Sequence, residues 1–306
     1  MLRSLDEIVD AARRLGPARI ALVSGHDPDA IEALKLAADM GLAEGVFVGD
    51  AARIGAAAAK VGLEVASQQI VHEPDETRVA QRAISLVREH NADLLMKGKI
   101  NTAALMQAVL DPENGLRTGR LVSQVAVFQV PAMERLMLLS DGGVNIAPTL
   151  EQKAGICRNA IAVAHAVGID RPKVALLCAL EFVEPKMPAT VDAAALTQMG
   201  RRGQIPGAYI EGPIALDAVL SKFAAERKGI ESPLVEGTDI LISPDIHSAN
   251  ILYRAIVYFA RGEGAGVVVG AKVPIVLLSR AETPETKLRS IAVAMLVAEA
   301  AKAAEA

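Results

Sequence analysis

The sequence is poor in aromatic residues: it has no tryptophan, three tyrosines and five phenylalanines among 306 residues. Hydrophobic residues nevertheless make up 52% of the chain. Its cores must therefore be built from small aliphatic side chains, which is typical of α/β proteins with buried parallel strands. A chain of this length is long for one core and sufficient for two.

The chain also lacks a basic excess, because its formal net charge is −4. A nucleic-acid partner would favour a basic face, so we expect none. HExxH, CxxC, GxGxxG and Walker motifs are absent, which argues against hydride transfer, nucleotide hydrolysis and obligatory metal catalysis. We expect neither a metal nor a resident cofactor.

Cysteine is scarce as well. Cys157 and Cys178 are isolated thiols without the spacing of metal ligands, as in proteins of reducing compartments. We expect Cys157 on the apolar face of a helix and Cys178 in the middle of a strand, both as core residues and not as nucleophiles.

No stretch is predicted to enter a membrane. The first 15 residues carry charges throughout and predict an amphipathic helix, not a targeting segment. The most apolar stretch, 265–279, is too short to span a bilayer and contains Lys272 and Pro274. These features predict an unanchored cytoplasmic protein.

Short apolar runs alternate with segments of helical period. The predicted strands are 19–23, 45–48, 93–96, 174–180, 239–242 and 273–278. Such runs, separated by helices, indicate parallel strands covered on both faces. The polar segment 111–120 interrupts the alternation, and two apolar runs then follow without a helix between them. We predict two α/β domains, one of residues 1–118 with 270–306 and one of residues 119–269.

Polar residues directly follow several of these strands. They are Ser24-Gly25, Lys97-Gly98-Lys99, Ser140-Asp141-Gly142-Gly143, Ser243-Pro244-Asp245 and Ser279-Arg280. Ligands of parallel α/β sheets bind at the carboxyl ends of strands, near helix N-termini. Cationic, glycine and serine residues there suit an anionic, phosphate-bearing ligand.

Each of these turns has a structural alternative. Ser279-Arg280 could be a solvated arginine beside a helix that begins at Thr283 and Pro284. The lysines at 97 and 99 could be solvated turn residues. Asp245, and likewise Asp27 with Asp29 and Thr149, could simply cap helices.

Ordered motifs along the chain are similar to those of one family. They are Leu95–Gly98 with Thr102, Gly115–Gly119, Asn145–Pro148, Glu211–Ala218, Asp239–Leu241 with Pro244-Asp245, Asn250–Tyr253, Gly266-Val267, Gly270–Lys272, Pro274–Leu277 and Ser279–Ala281. On these motifs, from about Arg19 to Ala298, the chain resembles the phosphate acetyltransferase/phosphate butyryltransferase family, and it is closer to the butyryl-type branch.

The resemblance implies a two-domain isocitrate/isopropylmalate-dehydrogenase-like fold with an active-site cleft between domains, in homodimers or larger homo-oligomers. The implied reaction is acyl-CoA plus phosphate giving acyl phosphate plus CoA, with coenzyme A as a substrate. A short acyl group, butyryl or acetyl, would be transferred directly in a ternary complex.

The resemblance also implies site residues. Ser279 and Arg280 match the family's catalytic pair, for the oxyanion and the phosphate. The predicted substrate-binding residues are Lys97, Gly98, Lys99, Thr102, Asn145, Asp245, Asn250 and Lys272.

The sequence departs from the family pattern at three positions. Thr286 stands where acetyl-type members have the aspartate proposed as base, Gln124 replaces a histidine, and Ala249 replaces a glycine. Glu282 and Glu285 are the nearest carboxylates, although both also fit as acidic residues at a helix N-terminus.

Two other functions stay open at this point. One is a metal-dependent decarboxylating dehydrogenase of the same fold. The other is a CoA-binding protein without turnover, which the altered positions suggest.

Overall fold

The computed structural model describes residues 2–279 and 281–305. They form two compact units. Unit A consists of residues 6–120 and 265–305, and unit B of residues 2–5 and 121–264. The division into two α/β domains, of residues 1–118 with 270–306 and of residues 119–269, stays a prediction.

Unit A alternates strands and helices, and its last strand and helix come from the end of the chain. Its elements are α1 (Leu5–Arg13), β1 (Ala18–Val23), α2 (Pro28–Asp39), β2 (Ala43–Gly49), α3 (Ala51–Lys60), β3 (Ile70–His72), α4 (Val79–Arg88), β4 (Leu94–Lys97), α5 (Thr102–Val109), β10 (Glu263–Val269, which begins in unit B), β11 (Ile275–Val276) and α11 (Pro284–Glu305). The strand order is β3-β2-β1-β4-β11-β10.

Unit B has the same alternation after an initial pair of strands. Its elements are β5 (Ser123–Gln129), β6 (Met137–Ser140), α6 (Leu150–Ala166), β7 (Lys173–Leu177), α7 (Pro188–Arg201), β8 (Tyr209–Ile214), α8 (Leu216–Leu220), α9 (Lys222–Arg227), β9 (Ile240–Ile242) and α10 (Ile246–Tyr258). The strand order is β5-β6-β9-β7-β8.

The predicted α/β class is confirmed, but the sheet is mixed and not wholly parallel. β5 and β6 run antiparallel, as expected of strands joined without a crossover helix. β10 and β11 are also antiparallel. The other strand pairings described in the two units are parallel.

Two predicted strands are too long. β7 ends at Leu177 and not at Leu180, and its register against β8 shifts between Ala175 and Leu177. The predicted strand 273–278 is reduced to Ile275–Val276. Its later start follows from Pro274, which has no N–H to donate to a neighbouring strand.

The cores are aliphatic, as the composition predicts. In unit A, residues 20–23 of β1 are completely buried, and α2 contributes Ile31 and Leu34. In unit B, one cluster joins residues of β5, β6, β7 and β9 to Ala218 and Ala249. Across residues 2–279 and 281–305, no helix is long and apolar enough to cross a bilayer.

Candidate active site

The candidate pocket of unit A lies at the carboxyl ends of neighbouring parallel strands. β1, β4 and β11 are adjacent in the sheet, so the residues that follow them meet at one edge. The pocket is lined by Asp27, Met96, Lys97, Gly98, Val276, Leu278, Ser279 and Lys287. Three of the predicted site residues, Lys97, Gly98 and Ser279, are therefore brought together.

The turns after β1 and β4 are held against each other by backbone hydrogen bonds. The Gly98 N–H donates to the Val23 carbonyl at 2.9 Å, and the Lys99 N–H donates to the Ser24 carbonyl at 3.1 Å. A Cβ atom at position 98 would lie 2.5 Å from the Ser24 oxygen and 2.6 Å from the Val23 oxygen. Position 98 therefore requires glycine for close approach. Ser24 itself has a left-handed backbone, with φ of 55°, an uncommon conformation for a residue with a side chain.

Cationic side chains surround these turns. Lys97 is half-buried, with its Nζ 3.4 Å from the Gly98 carbonyl oxygen, and Lys99 is exposed. Burial, then the charges of Arg53 and Lys99, lower the pKa of His26. At neutral pH His26 is thus uncharged, although Arg53 and Lys99 near it are positively charged.

The helix after β4 begins where expected. Asn101 caps α5 by accepting a hydrogen bond from the Ala103 N–H at 2.8 Å, and the predicted residue Thr102 is the first residue of this helix. Thr102 therefore lies four residues beyond Gly98, at the N-terminus of a helix whose free N–H groups favour anions.

Ser279 is exposed at the end of the segment that follows β11. Its Oγ accepts a hydrogen bond from the Ala281 N–H at 3.3 Å, and its carbonyl accepts one from the Glu282 N–H at 3.1 Å. The hydroxyl proton is left to donate to a ligand oxygen. Arg280, the second predicted catalytic residue, lies outside the described residues.

Two carboxylates lie at or just before the start of α11: Glu282, which is buried, and Glu285, which is exposed. The Thr286 N–H donates to Thr283 Oγ1 at 3.3 Å, which confirms the predicted cap. The pKa of Glu285 is lowered, first by a hydrogen bond from its own backbone N–H and then by Thr283. This favours the helix-terminus interpretation of Glu285, because a lowered pKa weakens a general base.

Asp27 does not act as the predicted helix cap. It occupies the N-cap position of α2, but its side chain makes no capping hydrogen bond. Asp27 is instead one of the residues that line the pocket. Lys287 also lines the pocket, is 4% exposed, and donates from Nζ to the Glu282 carbonyl. Sequence reasoning missed both as pocket residues, and the only signal for Lys287 was its place early in the helix after Ser279.

Two of the family-like motifs are adjacent within unit A. The Lys272 N–H donates to the Leu116 carbonyl at 2.9 Å, and Thr118 Oγ1 donates to the Gly270 carbonyl at 2.6 Å. The Lys272 side chain is exposed and is not among the residues that line the pocket. Its role in substrate binding stays a prediction.

In unit B, the loop after β6 is organised by one buried carboxylate. Asp141 is 2% exposed. It accepts hydrogen bonds from the N–H groups of Gly143, Val144 and Asn145 at 2.9, 3.0 and 3.1 Å and from Asn145 Nδ2 at 2.6 Å. Asn145 Nδ2 also donates to the Val122 carbonyl at 2.9 Å. The predicted residue Asn145 thus fixes the shape of the loop.

The other predicted residues of unit B surround the same loop. Asp245 caps α10 by accepting from the Ser248 N–H at 2.8 Å, and this bond is the main cause of its lowered pKa. Asn250 Nδ2 donates to the Gly142 carbonyl at 3.1 Å. Gln124, one of the altered positions, presents its side chain to Gly143, where a Cβ atom would lie 2.8 Å from Gln124 Oε1.

Neither cysteine has the properties of a nucleophile. Cys157 is completely buried, and burial raises the pKa of its thiol to about 12. Cys178 is not in the middle of a strand, as predicted, but follows β7 and is half-buried. Burial raises its pKa to about 11. A thiol must ionise to attack a carbonyl, so both are unreactive at neutral pH.

Residues of the types that bind metal ions do not cluster in the part of the chain that the structure describes. Among residues 2–279 and 281–305, no three histidine, cysteine, aspartate or glutamate residues are placed to hold a metal ion.

Comparison with known proteins gives the family directly. The model of the family described as "Phosphate acetyl/butaryl transferase" matches residues 75–295. A phosphate butyryltransferase of Clostridium acetobutylicum is 41% identical over 298 residues, which are 97% of this chain and 99% of that protein. A phosphate acetyltransferase of Thermotoga maritima is 42% identical over 294 residues, 96% of this chain and 99% of that protein.

The fold is similar to that of solved phosphotransacylases. The crystal structure of a branched-chain phosphotransacylase from Enterococcus faecalis V583 matches with a TM-score of 0.79 at 33% identity, over 92% of this chain and 99% of that one. The chain belongs to the phosphate acetyl/butyryl transferase family, so the resemblance noted in the sequence is confirmed.

Proposed function

We propose that this protein is a phosphate acyltransferase that converts acyl-CoA and phosphate into acyl phosphate and CoA, and the reverse. The observation that carries the proposal is the pocket of unit A, in which Lys97, Gly98 and Ser279 lie together. The family to which the chain belongs supports it, because the similar proteins are named phosphate butyryltransferase and phosphate acetyltransferase.

The pocket offers suitable groups for this chemistry. When the CoA thiolate attacks the carbonyl carbon of an acyl phosphate, negative charge develops on the carbonyl oxygen. The exposed hydroxyl of Ser279 is a donor for that oxyanion. The ammonium group of Lys97 and the N–H groups at the start of α5 attract the phosphate. The family resemblance implies that Arg280, the next residue in the sequence, binds the same phosphate through its planar guanidinium group.

Transfer is direct in this proposal. Both thiols are protonated at neutral pH, since their pKa values are about 12 and about 11. An acyl-cysteine intermediate is therefore disfavoured, and both substrates must be bound together. The acyl group is short, butyryl or acetyl, in keeping with the two names that the relatives carry.

Several further properties belong to the proposal. They are an isocitrate/isopropylmalate-dehydrogenase-like fold with an active-site cleft between domains, a homodimer or larger homo-oligomer, coenzyme A as a substrate, no resident cofactor or metal, and a cytoplasmic location. Family membership supports the first three. The two unpaired cysteines support a reducing compartment.

The direct test is release of the CoA thiol from acyl-CoA, measured with a thiol reagent, with and without phosphate. We expect phosphate-dependent release across part of a C2 to C8 acyl series, and arsenate should replace phosphate. Absence of phosphate- or arsenate-dependent release with every acyl-CoA would refute the proposal.

The two alternatives predict different outcomes in the same preparation. A CoA-binding protein without turnover would bind CoA in calorimetry but release no thiol. A decarboxylating dehydrogenase would reduce NAD or NADP with Mg²⁺ or Mn²⁺ and a 2-hydroxy acid. No observation favours either, and the described residues contain no acidic metal cluster.

A further inference from the structure

The proposed function lacks a base for the CoA thiol, because Thr286 replaces the expected aspartate. Among the eight described residues that line the unit A pocket, one is acidic, Asp27. It lies on the turn after β1, and β1 is the sheet neighbour of β4. Asp27 therefore faces the same pocket as Ser279 and Lys97, although it is far from Ser279 in the sequence.

The helix start at Asp27 differs from the helix starts of this chain that a polar side chain caps. Among the described residues, six other helices have a side chain that caps them through a hydrogen bond: these caps are Asp50, Asn101, Thr149, Ser221, Asp245 and Thr283. Asp27 occupies the equivalent position of α2 and makes no such bond. An aspartate at an N-cap normally bonds the helix N–H groups, so its carboxylate is placed for another partner.

The charges around Asp27 come from three elements. Lys97 at the end of β4 and Lys287 in α11 line the same pocket, and His26 precedes Asp27 on its own turn. Burial, Arg53 and Lys99 lower the pKa of His26, so this imidazole is neutral at neutral pH and does not compete as a cation. The pocket thus holds one carboxylate among ammonium groups that attract phosphate.

We propose that Asp27 is the general base that takes the proton of the CoA thiol, an inference that rests on the proposed function. As the S–H bond breaks, its proton passes to the Asp27 carboxylate and the sulfur attacks the acyl carbon. The C–S bond forms, the bond between the acyl carbon and the phosphate oxygen breaks, and Asp27 passes the thiol proton on to the departing phosphate, which restores its carboxylate. In the reverse direction, protonated Asp27 returns the proton to the leaving thiolate.

The experiment compares Asp27→Asn with Asp29→Asn in the full-length protein, using CoA and butyryl phosphate. Asp29 is exposed in the first turn of the same helix, so both variants lose one charge at the same helix terminus. A positioned general base contributes roughly 10²–10⁴-fold in rate, and we expect Asp27→Asn to lose about that factor in kcat at pH 7. Asp29→Asn should keep the wild-type rate.

The pH profile separates a base from a binding residue. Free thiols ionise near ~8.5 without help. We therefore expect the defect of Asp27→Asn to shrink as the pH rises towards that value, with little change in the KM for butyryl phosphate. Asp27→Glu keeps a carboxylate and should be faster than Asp27→Asn, which preserves the test if the asparagine variant folds poorly.

Three outcomes would overturn the inference: an Asp27→Asn rate within a few-fold of wild type, a defect that does not change with pH, or an Asp27→Glu variant as slow as Asp27→Asn. These outcomes are distinct from failure of the proposed function, which would show as no acyl transfer by the wild-type protein.

Discussion

The strand-end loops of the two units have similar residue types but use them differently. In unit B, Asp141 accepts four hydrogen bonds from within its own loop, and Asn145, Asp245 and Asn250 all bond to nearby backbone groups. In unit A, Ser279 Oγ accepts one hydrogen bond, from the Ala281 N–H at 3.3 Å. The Asp27 side chain makes no capping hydrogen bond to α2.

The comparison teaches that a position after a strand does not by itself define a role. A side chain whose bonding capacity is filled inside the fold holds a shape. A side chain with remaining capacity, beside a pocket, is available to a ligand. We therefore expect substitutions in the unit B loop to lower stability, and substitutions in the unit A pocket to lower turnover.

Of the substitutions that test this comparison, Ser279→Ala should have the largest effect on turnover. Loss of one oxyanion donor typically costs about 10²–10³ in kcat, and the free energy of unfolding should change by less than ~0.5 kcal/mol, as for other surface positions. Steady-state kinetics and urea unfolding measure the two quantities. Ser67→Ala, another exposed serine of unit A, is the control, and a normal kcat for Ser279→Ala would contradict the assignment.

Asp141→Ala should show the opposite pattern. Without the Asp141 carboxylate, the N–H groups that donate to it lose their acceptor. Each such loss lowers the free energy of unfolding by ~1–3 kcal/mol before the loop relaxes. We expect about 2–3 kcal/mol less free energy of unfolding in urea. Asp170→Ala, at an exposed position of the same unit, should change stability little. Equal stability of the two variants would show that the Asp141 hydrogen bonds do not organise the loop.

Gly98→Ala tests whether the turns after β1 and β4 must stay in contact. The new methyl group would meet two carbonyl oxygens at 2.5 and 2.6 Å, and overpacking typically costs ~1–3 kcal/mol. The matched variant is Gly55→Ala in α3, where no atom lies within 4 Å. It should gain about 0.5–1 kcal/mol, because alanine is the better helix former. The prediction would be contradicted if both substitutions changed the free energy of unfolding in the same direction.

The smallest effect should come from the cysteines. Cys157→Ala and Cys178→Ala are expected to keep turnover, since neither thiol takes part in transfer. With a pKa of about 11, Cys178 is protonated at pH 8. Its alkylation should therefore be about 100-fold slower than that of an ordinary cysteine and accelerate tenfold per pH unit. Trapping an acyl-thioester on either cysteine would overturn this.

Local features were predictable from the sequence. Apolar runs located most strands because buried strands need continuous aliphatic residues. Short-range capping patterns located the starts of α6 at Thr149 and α11 at Thr283. Each of these features depends on residues only a few positions apart.

Features that depend on strand order were not predictable. The neighbourhood of β1, β4 and β11 joins segments from both ends of the chain, and this placement brings Asp27 and Lys287 into the pocket. The antiparallel strands and the short β11 likewise follow from pairing partners. Of the predicted binding residues, Lys97 and Gly98 line the pocket together with Ser279. Binding by Lys99, Thr102, Lys272, Asn145, Asp245 and Asn250 stays a prediction.

The interlocked turns after β1 and β4 limit how this pocket can be exchanged between relatives. Two backbone hydrogen bonds join residues 23–24 to residues 98–99. The close approach is possible because Gly98 has no side chain. In a chimaera that takes only the turn after β1 from a relative, the carbonyl groups at positions 23 and 24 would no longer be matched to Gly98. The two segments are therefore one module for protein engineering, to be grafted together or left in place.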